Sequence, residues 1–289
     1  MGHTKFSLIM STLGRSDEII ILLDSLLLQS YKNFELIIID QNDDDRVEKI
    51  YNQYKERLDV HYYRCDRKGL SLGRNIGLEH VSGGIIAFPD DDCEYEADTL
   101  DKIAGFFEEN SGYSFYTCNT KEKEINNAAL ETKKKDCDIG ICNFLSVGIS
   151  FTIFVRSEAI AGFLFDEQLG VGTAFGSAEE SDLLLYLIKN KRKGKYHAAH
   201  YIYHPGKTET PQRVYSYSLG FGALFRKALL VYRMYPMFFI FLYRIARNIT
   251  KLCLRPGDKI ARALVTGRLS GFLKYKSLAK VKKIENNSH

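Results

Sequence analysis

Three aspartates stand side by side, Asp90-Asp91-Asp92, directly after the run Ile85-Ile86-Ala87-Phe88-Pro89. Adjacent carboxylates repel, so a fold gains nothing from placing them together unless positive charge sits between them. A divalent cation carrying a phosphorylated ligand supplies that charge. Hard cations take oxygen ligands, and Mg²⁺ binds through one or two carboxylates plus substrate phosphates. The plainer alternative is a solvated acidic turn. The apolar residues in front favour the first reading, because they read as a buried strand and ligands of open α/β sheets bind beyond the carboxyl ends of strands. A second acidic group, Glu179-Glu180 with Asp182, opens an apolar helical stretch. There the bland role is to complement the helix dipole, worth roughly 0.3–1 kcal/mol for each acid. Arg74 lies in Gly69-Leu70-Ser71-Leu72-Gly73-Arg74-Asn75-Ile76-Gly77. It could reach a diphosphate or a nearby carboxylate, or it could be a surface arginine. His204 closes a strand-like run, and a lone histidine is more often structural than a ligand.

These residues need elements to hold them. Phe6-Ser7-Leu8-Ile9-Met10 reads as a first buried strand, with Ser11-Thr12-Leu13-Gly14-Arg15 as the turn after it. Ser16 suits a helix N-cap, and Asp17 and Glu18 suit the first turn. Ile19, Leu22, Leu23, Leu26 and Leu27 then recur at helical spacing, which predicts an amphipathic helix from Asp17 to Gln29. Glu35 to Ile39 is a second strand ending at Asp40-Gln41, Arg46 to Arg57 a second helix and Val60 to Tyr63 a third strand. Strand–helix alternation with short connections predicts a parallel α/β sheet. The glycines from Gly69 predict a tight loop, with a helix from Arg74 to about His80. Asp98 to Asn110 reads as a helix, Phe115 to Cys118 as an edge strand and Ser150 to Arg156 as a strand. Tyr196 to Tyr203 reads as the final strand. Asn119 to Asp138, with Lys133-Lys134-Lys135, is expected to be a polar loop. No Gly-x-Gly-x-x-Gly turn and no Gly-Lys-Ser/Thr loop is present.

At 289 residues the chain is one large domain or a domain with an appendage, and its 45% apolar content can fill a core. The net charge of +4 is unevenly spread. The first half holds most of the acids, whereas Asp258 and Glu285 are the only ones after Arg244. Six cysteines form no CxxC pair, and the N-terminus carries no secretory signal. Both point to reduced thiols and a cytosolic compartment.

In their order along the chain, four stretches resemble glycosyltransferase family 2, of the bacterial surface-polysaccharide type. They are Ser11-Thr12-Leu13-Gly14-Arg15, the run Leu28 to Asp40, Arg74-Asn75-Ile76-Gly77, and Asp90-Asp91-Asp92. The resemblance covers roughly Phe6 to Pro205. It implies the α/β GT-A fold, a mostly parallel Rossmann-like sheet flanked by helices, over 1–210, with a helical, basic-aromatic extension over 211–289. It also implies a nucleotide-sugar donor, Mn²⁺ or Mg²⁺, and inverting transfer of a sugar to a hydroxyl. By that similarity Ser11, Thr12, Leu13 and Arg15 line the nucleotide pocket together with Arg74 and Asn75. Asp40 lies by the base or ribose, Asp91 by the ribose, and Asp90 supports the site from its edge. Asp92 holds the metal, and His204 completes its site, since a neutral imidazole is a reasonable ligand for Mn²⁺ beside a carboxylate. The family often has a second Asp where this chain has Gln41. An amide can still donate to and accept from a pyrimidine edge, so UDP is expected first, with dTDP and GDP as alternatives. The family base is the second acid of a Glu-Asp pair at the start of a helix, which maps to Glu180, with Glu179 as the alternate and Asp182 as a candidate for acceptor hydroxyls.

Beyond Arg213 the pattern is helical and rich in aromatic residues. The longest uncharged run, Met234 to Tyr243, is much shorter than the ~20 residues needed to span a bilayer. Helices lying on the inner face of the cell membrane are expected, with Arg244, Arg247, Lys251, Arg255, Lys259, Arg262 and Arg268 near anionic headgroups. The alternative is a helical subdomain packed on the core or on a second copy. The acceptor implied is a glycan or lipid-linked glycan. No motif supports nucleic-acid binding. Two rival readings are a sugar-phosphate nucleotidyltransferase and a non-catalytic homologue that scaffolds polysaccharide assembly.

Overall fold

The computed structural model describes residues 4–122, 135–206 and 208–277. The expectations for Lys207 and the polar stretch Lys280 to His289 lie outside them. Of the polar loop expected from Asn119 to Asp138, residues 123–134 also lie outside them, including Lys133 and Lys134, and its two ends, Asn119–Lys121 and Cys137–Asp138, are strand rather than loop. The chain forms two compact units, one of Met1–Phe165 with Asn190–Lys207 and one of Asp166–Lys189 with Thr208–His289.

The first unit is built on an eight-stranded sheet of order β3-β2-β1-β4-β7-β5-β8-β6. β1 (Phe6–Thr12), β2 (Phe34–Asp40), β3 (Val60–Arg64) and β4 (Ile85–Ala87) are parallel. They are joined through α1 (Asp17–Leu27), α2 (Arg46–Tyr54) and α3 (Leu70–Leu78). Every residue of β2 is buried. That is why Leu36-Ile37-Ile38-Ile39 is a continuous apolar run and not an alternation: a central parallel strand is covered on both faces. Ile19, Leu22, Leu23 and Leu26 of α1 are buried as their spacing predicts. Ser16 occupies the N-cap position, but its side chain makes no capping bond.

Three boundaries differ from expectation for identifiable reasons. α3 begins at Leu70, four residues before Arg74, and takes Gly73 and Gly77 into the helix. A Cβ at Gly73 would lie 2.1 Å from Ser11 Oγ, and one at Gly77 2.3 Å from Ile9 Cγ2. The glycines therefore bring the helix against β1, where a loop was expected. β5 (Phe115–Lys121) is interior, because β7 (Phe154–Arg156) and β8 (Gly194–Tyr203) pair with its two sides. Ser150–Thr152 is a 3-10 turn, and only Phe154–Arg156 of that stretch is strand. α4 (Thr99–Glu109), β6 (Cys137–Ile139) and α5 (Phe144–Val147) complete this unit.

The second unit holds α6 (Glu179–Lys189), α7 (Pro211–Leu230), α8 (Pro236–Leu254) and α9 (Lys259–Lys274). α7 and α9 cross at small residues. A Cβ on Gly222 would lie 2.1 Å from the Arg268 carbonyl, and one on Gly271 1.9 Å from that of Leu219. The unit's polar centre is Lys227, whose Nζ lies 2.7 Å from Asp182 Oδ2 and 3.1 Å from Asp166 Oδ2. Tyr232 donates to Asp182 at 2.9 Å and Tyr275 to Asp166 at 2.7 Å. Burial pushes the fully buried Asp182 carboxyl up despite Lys227. Burial also acts on Asp166, but there Lys227 and Tyr275 outweigh it and hold the carboxyl below its ordinary value. Among the described residues, no helix is long and apolar enough to cross a membrane.

Candidate active site

The strand order reverses at β1, which has β2 on one side and β4 on the other. The crevice beyond the strand ends at such a point is where α/β sheets bind ligands. Here it is formed by the turns after β1, β2 and β4, which lock to one another. The Gln41 amide donates to the Thr12 carbonyl at 3.0 Å. The Gly14 amide, at φ +76°, donates to Asn42 Oδ1 at 2.7 Å. Thr12 donates to Asp91 Oδ2 at 2.6 Å.

Several expected donor-site residues prove to be engaged with the protein itself. Asp40 is fully buried and accepts from Asn42 and from the Tyr62 hydroxyl. Gln41 uses both ends of its amide on the Gly69 backbone, donating at 3.0 Å and accepting at 3.2 Å. Asn75 does the same with the backbone of Phe165, at 3.0 and 2.8 Å. Arg74 is 2% exposed, which rules out the surface arginine. Its guanidinium lies 5.6 Å from the ring centres of both Phe88 and Phe165, which contact each other edge-to-face, donates to Ser150 Oγ and lies 3.4 Å from Asp90 Oδ1. The nearby carboxylate expected for it is thus Asp90. Ser11 is partly buried, and Leu13 and Arg15 are the more open residues of this set.

The aspartates meet two kinds of positive charge. Arg15 lies 2.9 Å from Asp92 Oδ2 and 3.8 Å from Asp91 Oδ1, and it also binds Glu18 at 2.7 Å. Burial raises the Asp91 carboxyl to about 6, against the pull of Thr12. The neighbouring Cys93 thiol is pushed well up by burial, so it stays neutral. On the other side, His204 Nε2 lies 3.0 Å from Asp92 Oδ1 and 3.7 Å from Asp90 Oδ2.

His204 is held from three directions. Its Nδ1 lies 2.7 Å from the Pro205 carbonyl, its ring stacks on Phe151 at 4.6 Å and 4°, and its amide donates to the Lys121 carbonyl. The end of β8 is in turn tied to the aspartate turn, because Glu94 and Tyr203 exchange backbone hydrogen bonds at 2.9 and 3.0 Å. A carbonyl only accepts, so Nδ1 carries the proton. Nε2 is then the nitrogen turned to the carboxylates, and it makes no aligned hydrogen bond to them. An Nδ1–H fixed by a carbonyl is the usual outer contact of a ligating histidine, and a cation between Nε2 and the carboxylates would satisfy both.

Asp90, Asp92 and His204 each offer a ligand atom, all within 4.8 Å of one another. This donor set of two carboxylates and one imidazole fits a divalent cation. The cluster of Glu35, Asp59 and His61 does not. Lys5 already occupies it, 2.8 Å from Glu35 and 3.1 Å from Asp59. In the sequence Ser150, Phe151 and Tyr62 read as strand residues, and nothing there gave them or Asn42 a role beside the aspartates or Asp40. They act through contacts across the fold that no local motif announces.

Glu179, Glu180 and Asp182 begin α6 in the second unit. Glu179 is 4% exposed and Glu180 is half-buried. Asp182 is fully buried, with both oxygens taken by Lys227 and Tyr232.

The family model described as glycosyl transferase family 2 matches residues 7–161. The minor teichoic acid biosynthesis protein GgaB of Bacillus subtilis is 25% identical over 183 residues, 58% of this chain and 19% of GgaB. The chain spans about a fifth of the length of such curated relatives. S. aureus TarS 1–349, solved in complex with UDP-GlcNAc, superposes with a TM-score of 0.60 at 19% identity, over 76% of this chain and 66% of that one. Mannosyltransferase PcManGT from Pyrobaculum calidifontis, solved with GDP-Man and Mn²⁺, does so at 0.67 and 12%, over 95% and 89%. At these identities the likeness is one of fold, and it is the GT-A fold. The family match runs from β1 through β7, more than half of the chain, and takes in the strand ends that carry Thr12, Arg15 and the three aspartates. On that ground the chain belongs to glycosyl transferase family 2.

Proposed function

We propose that this protein transfers a sugar, with inversion, from a nucleotide-sugar donor to a hydroxyl of a growing or lipid-linked surface polysaccharide. The observation that carries the reading is the donor set at the end of β4, with His204 Nε2 facing Asp90 and Asp92. Asp90, Asp92 and His204 would hold a divalent cation, which would supply positive charge for the departing diphosphate. The imidazole favours Mn²⁺ over Mg²⁺, which prefers oxygen alone.

The chain's own groups do the rest. Arg15 balances Asp91 and Asp92 so that two adjacent carboxylates persist at the mouth of the crevice. Thr12 orients Asp91 toward the donor ribose. Ser11 and Leu13 line the nucleotide pocket, whose walls Asp40, Gln41, Arg74 and Asn75 hold in shape from behind. Glu180 takes the proton from the acceptor hydroxyl as its oxygen attacks the anomeric carbon and the bond to the diphosphate breaks. Glu180, half-buried in the first turn of α6, is better exposed for this than Glu179. GgaB, named for teichoic acid biosynthesis, supports an acceptor of the surface-polysaccharide class. Exposed Tyr235, just before α8, and Phe239, Leu242 and Tyr243 on α8 support peripheral contact with the inner face of the cell membrane.

The test is a panel of UDP-, dTDP- and GDP-sugars with Mn²⁺ or Mg²⁺, read by binding and by slow donor hydrolysis. One donor is expected to bind only with metal. Asp92→Asn should abolish that binding, and Glu180→Gln should bind without turnover. Failure of every nucleotide sugar to bind with either metal refutes the reading and favours the non-catalytic scaffold.

A further inference from the structure

A second concentration of unpaired charge lies in the helical unit. Between 211 and 277 the only carboxylate is Asp258. It is used to cap α9, accepting from the Ala261 amide at 2.8 Å. Against it stand many arginines and lysines, and two of them are buried: Lys227, which is paired with Asp182 and Asp166, and Arg268. Arg268, on α9, is 7% exposed, and neither its Nε nor its Nη1 has a hydrogen-bond partner. Burying an unpaired guanidinium is costly, and an apolar side chain of similar volume would remove that cost.

The neighbours make it costlier. Arg244 and Arg247 lie on α8, one helical turn apart, and both repel Arg268. Burial and these two charges push Arg268 down to about 10, and burial followed by Arg247 lowers Arg244. Among the described residues no carboxylate pairs with any of the three. The three differ in depth, with Arg247 exposed, Arg244 half-buried and Arg268 buried. Asn248, fully buried beside them on α8, also leaves its Oδ1 without a partner. The backbone around Arg268 has little freedom to relax, because Gly222 of α7 packs directly on the Arg268 carbonyl.

We propose that Arg268, Arg244 and Arg247 form a binding site for a phosphoryl anion, either a phosphate ester of a lipid headgroup or a soluble phosphate. Guanidinium forks match tetrahedral oxyanions with paired N–H donors. Convergence of three such groups selects an anion of more than one charge over a lone carboxylate. The polar stretch 278–289 is a poor internal substitute, since Glu285 is outnumbered there by Lys280, Lys282 and Lys283. The site uses residues of the helical unit alone and does not rest on the transfer reading.

The experiment is thermal denaturation of the full chain in EDTA without donor, titrating inorganic pyrophosphate against sodium chloride of matched ionic strength. A saturable rise in Tm is expected. Arg247→Gln should weaken the apparent affinity about tenfold, the loss of one charge-assisted contact. Arg268→Met should abolish the response, while its own Tm in chloride stays at or above that of the wild type. If Arg268→Met does not fold, Arg244→Gln combined with Arg247→Gln decides the matter by the same loss of response. Flotation with phosphatidylglycerol or phosphatidylcholine vesicles separates the two sources. Phosphatidylglycerol binding that pyrophosphate competes away assigns a lipid headgroup, and pyrophosphate binding without vesicle binding assigns a soluble phosphate. A pyrophosphate response no larger than that of chloride overturns the proposal, as does Arg268→Met responding like the wild type. Because neither metal nor donor is present, these outcomes are independent of the transfer assay.

Discussion

Replacing Lys227 by Met tests the polar centre of the helical unit. The substitution keeps the length and apolar body of the side chain and removes one ammonium. That ammonium faces two carboxylates at 2.7 and 3.1 Å, and the side chains of Asp182 and Asp166 are only 0% and 8% exposed. Removing one partner of a buried pair leaves uncompensated charge and typically costs about 3–5 kcal/mol. Tyr232 and Tyr275 still donate to the two acids, so the lower end of that range is expected at neutral pH. For a chain of this size it corresponds to a fall in Tm of roughly 6–12 °C.

The pH dependence carries the sharper test. Without Lys227 nothing cationic opposes burial, and both carboxyls shift upward. A carboxyl whose folded value lies above its unfolded value holds its proton longer in the folded state. Its penalty is absent below the unfolded value and grows as pH rises through it. The variant should therefore lie closest to the wild type at pH 4–5 and furthest from it at pH 8. Urea denaturation at the two pH values measures this. Adding Asp182→Asn to Lys227→Met should recover part of the loss at pH 8. A loss under about 1 kcal/mol, or one equal at both pH values, would refute the reasoning.

Two further outcomes follow from the packing. Burial would raise Glu35, but hydrogen bonds from Lys5, Ser7 and Ser82 hold it at about 2, below the ordinary 4.5. Its contribution is complete above pH 4.5 and disappears as pH falls through 2, so Glu35→Gln should cost about 2 kcal/mol at pH 7 and converge on the wild type in acid titration. Gly222→Ala sets a methyl 2.1 Å from the Arg268 carbonyl, whereas Gly105→Ala in α4 meets nothing within 4 Å. The first should destabilise by about 1–3 kcal/mol and the second should stabilise by about 0.5–1 kcal/mol, read by denaturant midpoint.

The parallel half of the sheet was legible because its signal is local. A short, β-branched run such as Leu36-Ile37-Ile38-Ile39 between polar flanks favours a strand covered on both faces, and the Ile19 to Leu26 spacing is helical. The aspartate turn was legible for the same reason, since three adjacent carboxylates directly after a buried strand favour a counter-charge over a solvated turn. What sequence could not supply were partners from distant parts of the chain. The glycines of α3 read as a loop because their use is to approach Ser11 and Ile9, some sixty residues earlier. β5 read as an edge because both of its neighbours come later in the chain. Gln41 and Asn75 read as ligand-facing amides because nothing local reveals that Gly69 and Phe165 occupy them. Lys227 drew no notice at all, since its two carboxylates lie 45 and 61 residues away in sequence.

The register of β8 against β5 has a consequence of its own. Phe115–Cys118 pair with Gly194–His197, but Asn119–Lys121 pair with Tyr201–Tyr203, so Ala198, Ala199 and His200 are extra. His200 folds back onto the Tyr116 hydroxyl, and the Ala198 amide donates to Asp136 at 2.8 Å, which anchors the surplus. Three residues of strand are about 10 Å. In a straight ladder His200 would stand opposite Lys121, and His204 would overshoot the aspartate turn by that distance. Because the surplus is odd, it also reverses which face each later side chain takes. The bulge is thus a length gauge and a half-turn in one, and its residues fix where the imidazole arrives without touching it. Strand insertions of two residues at this place would keep the facing and lose the reach, so variation here should come only as changes that preserve both.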